Sequence, residues 1–298
     1  MFRHILVPLD GSALAESVLP TALSLASTLK SALTLFHVIE HNAPEEVHKD
    51  RHLNSPEEAH AYLQAIAQRD LAGTKVDWHV HTAEVRDVAR SIAAHAEELK
   101  SDLILMCAHG HGGVLTVLFG SIAQRVIARG ETPVMLLRPG GLSLLETIAF
   151  HKIMLPLDSE SAHDIVFSYA KSLAMAFKSE IAMLTVIPTL STLKGEQAAA
   201  SSLLPGTTTA LLEIEEQAAG EHLQMHVDEL QGAGLSATAV IVRGDPASEI
   251  VSATERLNAD LMVLATHRKA GMDAFWAGSV APEIARRTKL PLLLIPLK

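Results

Sequence analysis

The residue types best suited to chemistry gather after two short apolar runs. Ile5-Leu6-Val7-Pro8-Leu9 ends in Asp10-Gly11-Ser12, and Asp102-Leu103-Ile104-Leu105-Met106 ends in Cys107-Ala108-His109-Gly110-His111-Gly112-Gly113. Glycines in such a loop let backbone N–H groups approach an anion closely, with no Cβ in the way. Past Val114 to Phe119, Gly120-Ser121 opens a segment in which Ile122, Val126 and Ile127 fall at helical spacing. A helix starting there offers free amides and a positive dipole end to an anion, and the serine hydroxyl adds a donor. Asp10 is a strong acceptor suited to the hydroxyls of a ribose. Plainer roles compete with these. Gly112, Gly113 and Gly120 serve equally as turn and helix-start residues, and Asp10 could cap a helix beginning near Ala13.

The elements that must position these residues are written twice in the chain. Ile5 to Ser12 recurs as Ile153 to Ser159, Leu33 to Ile39 as Ile181 to Ile187, Asp102 to Met106 as Asp260 to Leu264, and Thr132 to Leu137 as Leu290 to Ile295. The offset grows from 148 residues at the first of these runs to 158 at the third, so the second copy carries about ten extra residues. Continuous apolar runs such as Leu103 to Met106 suit strands buried on both faces of a parallel sheet. Between Glu84 and Leu99, apolar residues at helical spacing predict a helix, and Asp245-Pro246 predicts the N-terminus of its counterpart. Strands alternating with helices imply an α/β class: two tandem open, mainly parallel five-stranded sheets with helices on both faces. In such sheets ligands sit beyond the carboxyl ends of the strands, where neighbouring crossovers diverge.

The boundaries expected are a first domain at 1–139, a linker at 140–150 broken open by Pro139-Gly140-Gly141, and a second domain at 151–298. Residues 188–209 read as a mobile excursion with a partly helical 190–200, and residues 40–55 as its shorter counterpart. The net charge of −10 speaks against a nucleic-acid-binding surface. A single cysteine excludes an intrachain disulfide and fits a reducing compartment. Met1 to His4 lead straight into a five-residue strand-like run and Asp10, so no signal-peptide core is expected, and no apolar run approaches ~18 uninterrupted residues, so no membrane span is expected either. The default is a soluble cytoplasmic protein.

Together, Ile5 to Ser12, the Gly110-x9-Gly120-Ser121 spacing and the strand at Pro133 to Leu137 resemble the universal stress protein family, over essentially the whole chain as two tandem copies. The resemblance implies a Rossmann-like, adenine nucleotide alpha-hydrolase-like fold and the family's nucleotide pattern G-x2-G-x9-G-[S/T]. Here Gly110, Gly120 and Ser121 match that pattern, while Cys107 replaces its first glycine. It further implies that Pro8, Asp10 and Val38 contact adenosine, that Met106 lies at the pocket edge, and that the copies pair through their last strands as an intrachain pseudo-dimer. The candidate set for ATP, ADP or AMP, with or without Mg²⁺, is then Pro8, Asp10, Val38, Met106, Cys107, Gly110, His111, Gly113, Gly120, Ser121 and Ile122. In the second copy Asp158, Gly278 and Ser279 remain, but Arg268 stands where the first copy has Gly110, and its Cβ obstructs a backbone cradle.

His41, His48, His52 and His60 read as solvated loop histidines in preference to metal ligands, and His79 and His81 as surface or rim residues of a strand. Cys107 is either an inert buried thiol or, beside a helix N-terminus, a stabilised thiolate able to sense oxidants. The expected function is a nucleotide-responsive regulatory protein of the stress response, read by an unidentified protein partner, as a single chain or a homodimer. A slow ATP hydrolase is the enzymatic alternative. It is disfavoured because no G-x4-G-K-[S/T] loop or pair of metal-binding carboxylates accompanies the phosphate loop. A nucleotide-free scaffold with a redox-sensitive Cys107 is the third reading.

Overall fold

The computed structural model describes residues 1–108, 120–138, 148–158, 165–266 and 280–297. In the first half β1 (His4–Pro8), β2 (Ala32–Glu40), β5 (Val76–Val85), β6 (Leu103–Cys107) and β7 (Val134–Leu137) run parallel in the order β7-β6-β1-β2-β5. The second half repeats this with β8 (Lys152–Pro156), β9 (Glu180–Ile187), β10 (Ala237–Arg243), β11 (Leu261–Thr266) and β12 (Leu292–Pro296), in the order β12-β11-β8-β9-β10. The two five-stranded sheets are not separate. β7 and β12 pair antiparallel, with Val134, Met135 and Leu136 opposite Leu294, Leu293 and Leu292, and make one ten-stranded sheet. Each last strand thereby covers the other's bare edge.

The unbroken apolar runs follow from burial on both faces. Ile5, Val7, Leu103 and Leu105 face one hydrophobic layer, while Leu6, Ile104 and Met106 face the other. Ile5, Leu6 and Val7 have no exposed surface, and burying each such side chain contributes about 1.5–3 kcal/mol. The first layer is closed by α2 (Leu19–Leu29), α3 (Pro56–Asp70), α6 (Ile165–Phe177) and α8 (Pro205–Gly232). The second is closed by α4 (Val88–Glu98), α5 (Ser121–Arg129), α9 (Pro246–Leu257) and α10 (Val280–Arg287).

Matching side chains set the matching joints. Asp102 accepts hydrogen bonds from the backbone N–H groups of Arg3 and His4 at 2.8–2.9 Å, and Asp260 those of His151 and Lys152 at 2.7 and 3.1 Å. Asp245 caps α9 by accepting from Ser248 N, with Pro246 following, as its dipeptide predicts.

Three sequence expectations change. The helix sought between Glu84 and Leu99 begins only after Asp87, because Glu84 and Val85 extend β5. The excursion at 188–209 is largely helical: α7 (Gly195–Leu203) leads into the 28-residue α8, started by Pro205. In the stretch read as a linker, 139–147 lie outside the described residues, yet Ile148 and Phe150 are buried. Ser24 Oγ donates to the Ile148 carbonyl, and Phe150 packs edge-on against Phe177. Phe150 and its counterpart Phe2 belong to one buried layer that spans both halves, with Phe2 stacked on Tyr169 of α6.

Candidate functional site

The carboxyl ends of β1, β2 and β6 meet the N-terminus of α5 around a cavity of about 300 Å³. Its walls include eight of the sequence candidates: Pro8, Asp10, Val38, Met106, Cys107, Gly120, Ser121 and Ile122. Gly110, His111 and Gly113, and in the second half Gly278 and Ser279, lie outside the described residues. Asp158 is exposed at the end of β8.

At the end of β1 the chain turns sharply. Gly11 has φ +93°, and a Cβ there would come within 2.9 Å of Leu53 Cγ, so both backbone and space demand glycine. The helix cap is Ser12, not Asp10: Ser12 Oγ accepts from Ala15 N to start α1 (Ala13–Glu16). Asp10 Oδ1 in turn accepts from Ser12 N at 3.0 Å and Ser12 Oγ at 2.6 Å. That holds the carboxylate at the cavity wall with its second oxygen turned to other groups. At the opposite wall, Gly120 begins α5 with no side-chain cap, so the first-turn amides and the Ser121 hydroxyl form the electropositive end.

Several wall residues escaped the sequence reading. Arg125 stands one turn into α5, its Nε donating to the Ser121 carbonyl at 3.2 Å. Its spacing from Gly120-Ser121 was the available signal. Glu40 and His37 come from β2. Buried His37 donates from Nδ1 to the Leu9 carbonyl at 2.7 Å, which makes Nε2 the acceptor, and Nε2 has no hydrogen-bond partner among the described residues. Burial holds this imidazole below its usual pKa, and the neutral form keeps that acceptor.

Of the loop histidines, His60 is exposed and His41 partly so, as expected, but His48 and His52 are not solvated. A two-stranded hairpin, β3 (Glu46–Val47) and β4 (Asp50–Arg51), folds residues 41–55 over the cavity, anchored where Ala13 N donates to Asp50 Oδ2 at 2.9 Å. It carries His48 to within 3.9 Å of Asp10 and buries His52 at 3.9 Å from Glu40. Polarity alone could not reveal that the loop packs back. Among the described residues no group of three His, Cys, Asp or Glu side chains is arranged to hold a metal ion. Cys107 also departs from its sharper reading. Burial pushes its thiol up to about 11, outweighing the 3.4 Å hydrogen bond from Ser17 Oγ, so no thiolate is stabilised near neutral pH.

The cavity is thus acidic beside β1 and β2 and electropositive at α5, a pattern suited to a ligand with hydroxyl donors at one end and an anion at the other. The model of the universal stress protein family matches residues 1–138 and again 149–296. The chain belongs to the universal stress protein family. A universal stress protein of Synechocystis is 32% identical over 139 residues, 45% of this chain and 85% of its own length. One from Methanocaldococcus jannaschii is 28% identical over 148 residues, 46% of this chain and 83% of its own. Among solved structures, a universal stress protein from Archaeoglobus fulgidus superposes with TM-score 0.73 at 17% identity, covering 99% of this chain and 98% of its own. A chain from Pseudomonas aeruginosa gives 0.71 at 16% identity, covering 99% and 93%. These likenesses carry the tandem, mostly parallel α/β fold. Among the described residues no helix is long and apolar enough to cross a membrane.

Proposed function

We propose that this universal stress protein is a cytoplasmic regulatory protein that binds an adenine nucleotide, ATP first among them, in the cavity of its first half. The observation that carries this is the opposition of Asp10 to the uncapped α5 N-terminus across one cavity. Asp10 takes the ribose hydroxyls, Val38, Pro8 and Met106 supply the apolar wall for the base, and Gly120, Ser121 and Arg125 face the phosphates. Gly110, His111 and Gly113 complete the phosphate loop in this reading, with Cys107 tolerated at its first position. A protein partner reads the surface that occupancy alters.

Titration calorimetry with ATP and Mg²⁺ on the full chain tests this. One site is expected, lost by at least about a hundredfold in Gly120→Glu, whose carboxylate would fill and repel the phosphate position. Absence of heat in the wild type, or binding untouched by Gly120→Glu, would remove the first-half cavity from consideration. Parallel titrations with ADP and AMP rank the native nucleotide.

A further inference from the structure

Helix α8 is amphipathic on two sides. Its inward stripe, including Leu212, Ala219, Leu223 and Leu230, packs on the sheet. On the far side Leu211, Ile214 and Met225 are 60%, 64% and 57% exposed, with Ala218 exposed between them and Leu204, 61% exposed, one residue before the helix. Positions 211, 214, 218 and 225 lie on one stripe of the helix at spacings of three, four and seven, with Glu221 filling the seam place between the last two. Among the described residues nothing covers this second stripe. The equivalent helix of the first half, α3, is the internal control: its outward positions are Glu57, His60, Ala61, Gln64 and Gln68, without one large apolar side chain.

Charge identifies the occupant. Residues 205–232 contain six Asp and Glu and no Lys or Arg. Glu216 and Glu229 are paired within the molecule, with Arg243 and Lys171. Glu213, Glu215, Glu221 and Asp228 have no basic partner among the described residues. A second copy docking α8 against α8 would set these carboxylates against one another, and anionic lipid would be repelled likewise. A helix with leucines in the seam and lysines or arginines beside it would satisfy both features at once. We propose that the outward face of α8 is a docking surface for a basic amphipathic helix of a partner protein.

The test is fluorescence anisotropy on the full chain with a labelled three-heptad peptide, leucine at a and d and lysine at e and g, beside a counterpart with glutamate at e and g. The lysine peptide should bind at least about tenfold more tightly than the glutamate peptide. Leu211→Ser/Ile214→Ser should weaken it by about tenfold or more, through loss of apolar contact. Glu213→Gln/Glu215→Gln/Glu221→Gln, which leaves the apolar seam intact, should flatten its salt dependence. Leu211, Glu213, Ile214 and Glu221 are exposed and Glu215 is partly exposed, so far-UV circular dichroism should not change. No binding of the lysine peptide, or binding indifferent to the leucine and isoleucine substitutions, would overturn the proposal. So would a dimer in sedimentation that the serine variant dissolves, since the stripe would then join copies of this chain.

Discussion

Four residues beyond the serine that opens α5, the first half has Arg125; the matching position of the second half is Glu283, in α10. Arg125 lines the cavity, and its partner Asp87, 3.8 Å away, is already engaged by Arg129. Glu283 instead turns to Arg287, the counterpart of Arg129, and adds negative charge where the first half has positive. On β2 and β9 the same divergence recurs. His37 and Thr185 both donate to the carbonyl after the first strand, Leu9 or Leu157, but Thr185 leaves no second ring nitrogen. Duplication therefore preserved the joints that hold strands together, such as Asp102 and Asp260, while the groups facing the strand ends changed sign or size. The joints of the fold and the groups at the strand ends were under separate constraints within one chain.

The largest way to break this contrast is to give the first half the second half's charge. Arg125→Glu should weaken ATP binding by about ten- to a hundredfold, since a partly exposed guanidinium near a phosphate contributes about 1–3 kcal/mol and reversal adds repulsion. Adenosine, which lacks the phosphates, should bind as in the wild type. Calorimetry with both ligands separates the cases: an equal loss for ATP and adenosine would mean that Arg125 supports the cavity wall and makes no contribution to phosphate binding.

A second contrast is Cys107 against Ala265 at the ends of β6 and β11. With the thiol pushed up to about 11 by burial, the thiolate is scarce at neutral pH. Alkylation by iodoacetamide should be slow at pH 7.5 and rise about tenfold with each pH unit, levelling off only near pH 11. Cys107→Ala, which copies the second half, should leave ATP affinity within about twofold, because Ala retains a small side chain at the loop's start. Rapid alkylation that levels off near neutral pH would reverse this and restore the redox-sensing alternative.

How much of this was legible is decided by the range of the interactions concerned. The strands could be read because burial on both faces leaves an unbroken apolar run, and the duplication because the runs recur in order. Asp10, Gly120 and Ser121 stood out because a tight turn and an uncapped helix start are local events. Arg125 was hidden, since an arginine on a helix is ordinary until the helix is aimed at a cavity. His48 and His52 were hidden because their burial depends on a hairpin folding back over Gly11 and Ala13, tens of residues away. The length of α8 was obscured by Pro205 and Gly206, which read as a break in sequence yet occupy the first turn of a helix, where Pro costs little.

The smallest effect distinguishes the two halves at a position they share. Asp87 and Asp245 cap equivalent helices, accepting from Arg90 N and Ser248 N. Asp87 is held below the usual carboxylate range chiefly by Arg129. In the second half Glu283 engages Arg287, and Asp245 turns instead to Lys194, just ahead of α7, in the segment that is longer in this half; that bond lowers it to about 2. A depressed folded-state value stabilises the protein above the ordinary carboxylate pKa, and the contribution disappears as pH falls from about 4 through 2. Asp245→Asn keeps the cap and removes the charge, and the pair is solvent-screened, so Tm at pH 7 should fall by only roughly 1–2 °C. That difference should shrink through pH 2, where Asp245 is about half protonated, and vanish near pH 1, where wild type and variant are both largely neutral at this position. A deficit that persists undiminished there would assign the role of Asp245 to its hydrogen-bonding geometry, and the charge exchange between Arg129 and Lys194 would lose its part in separating the halves.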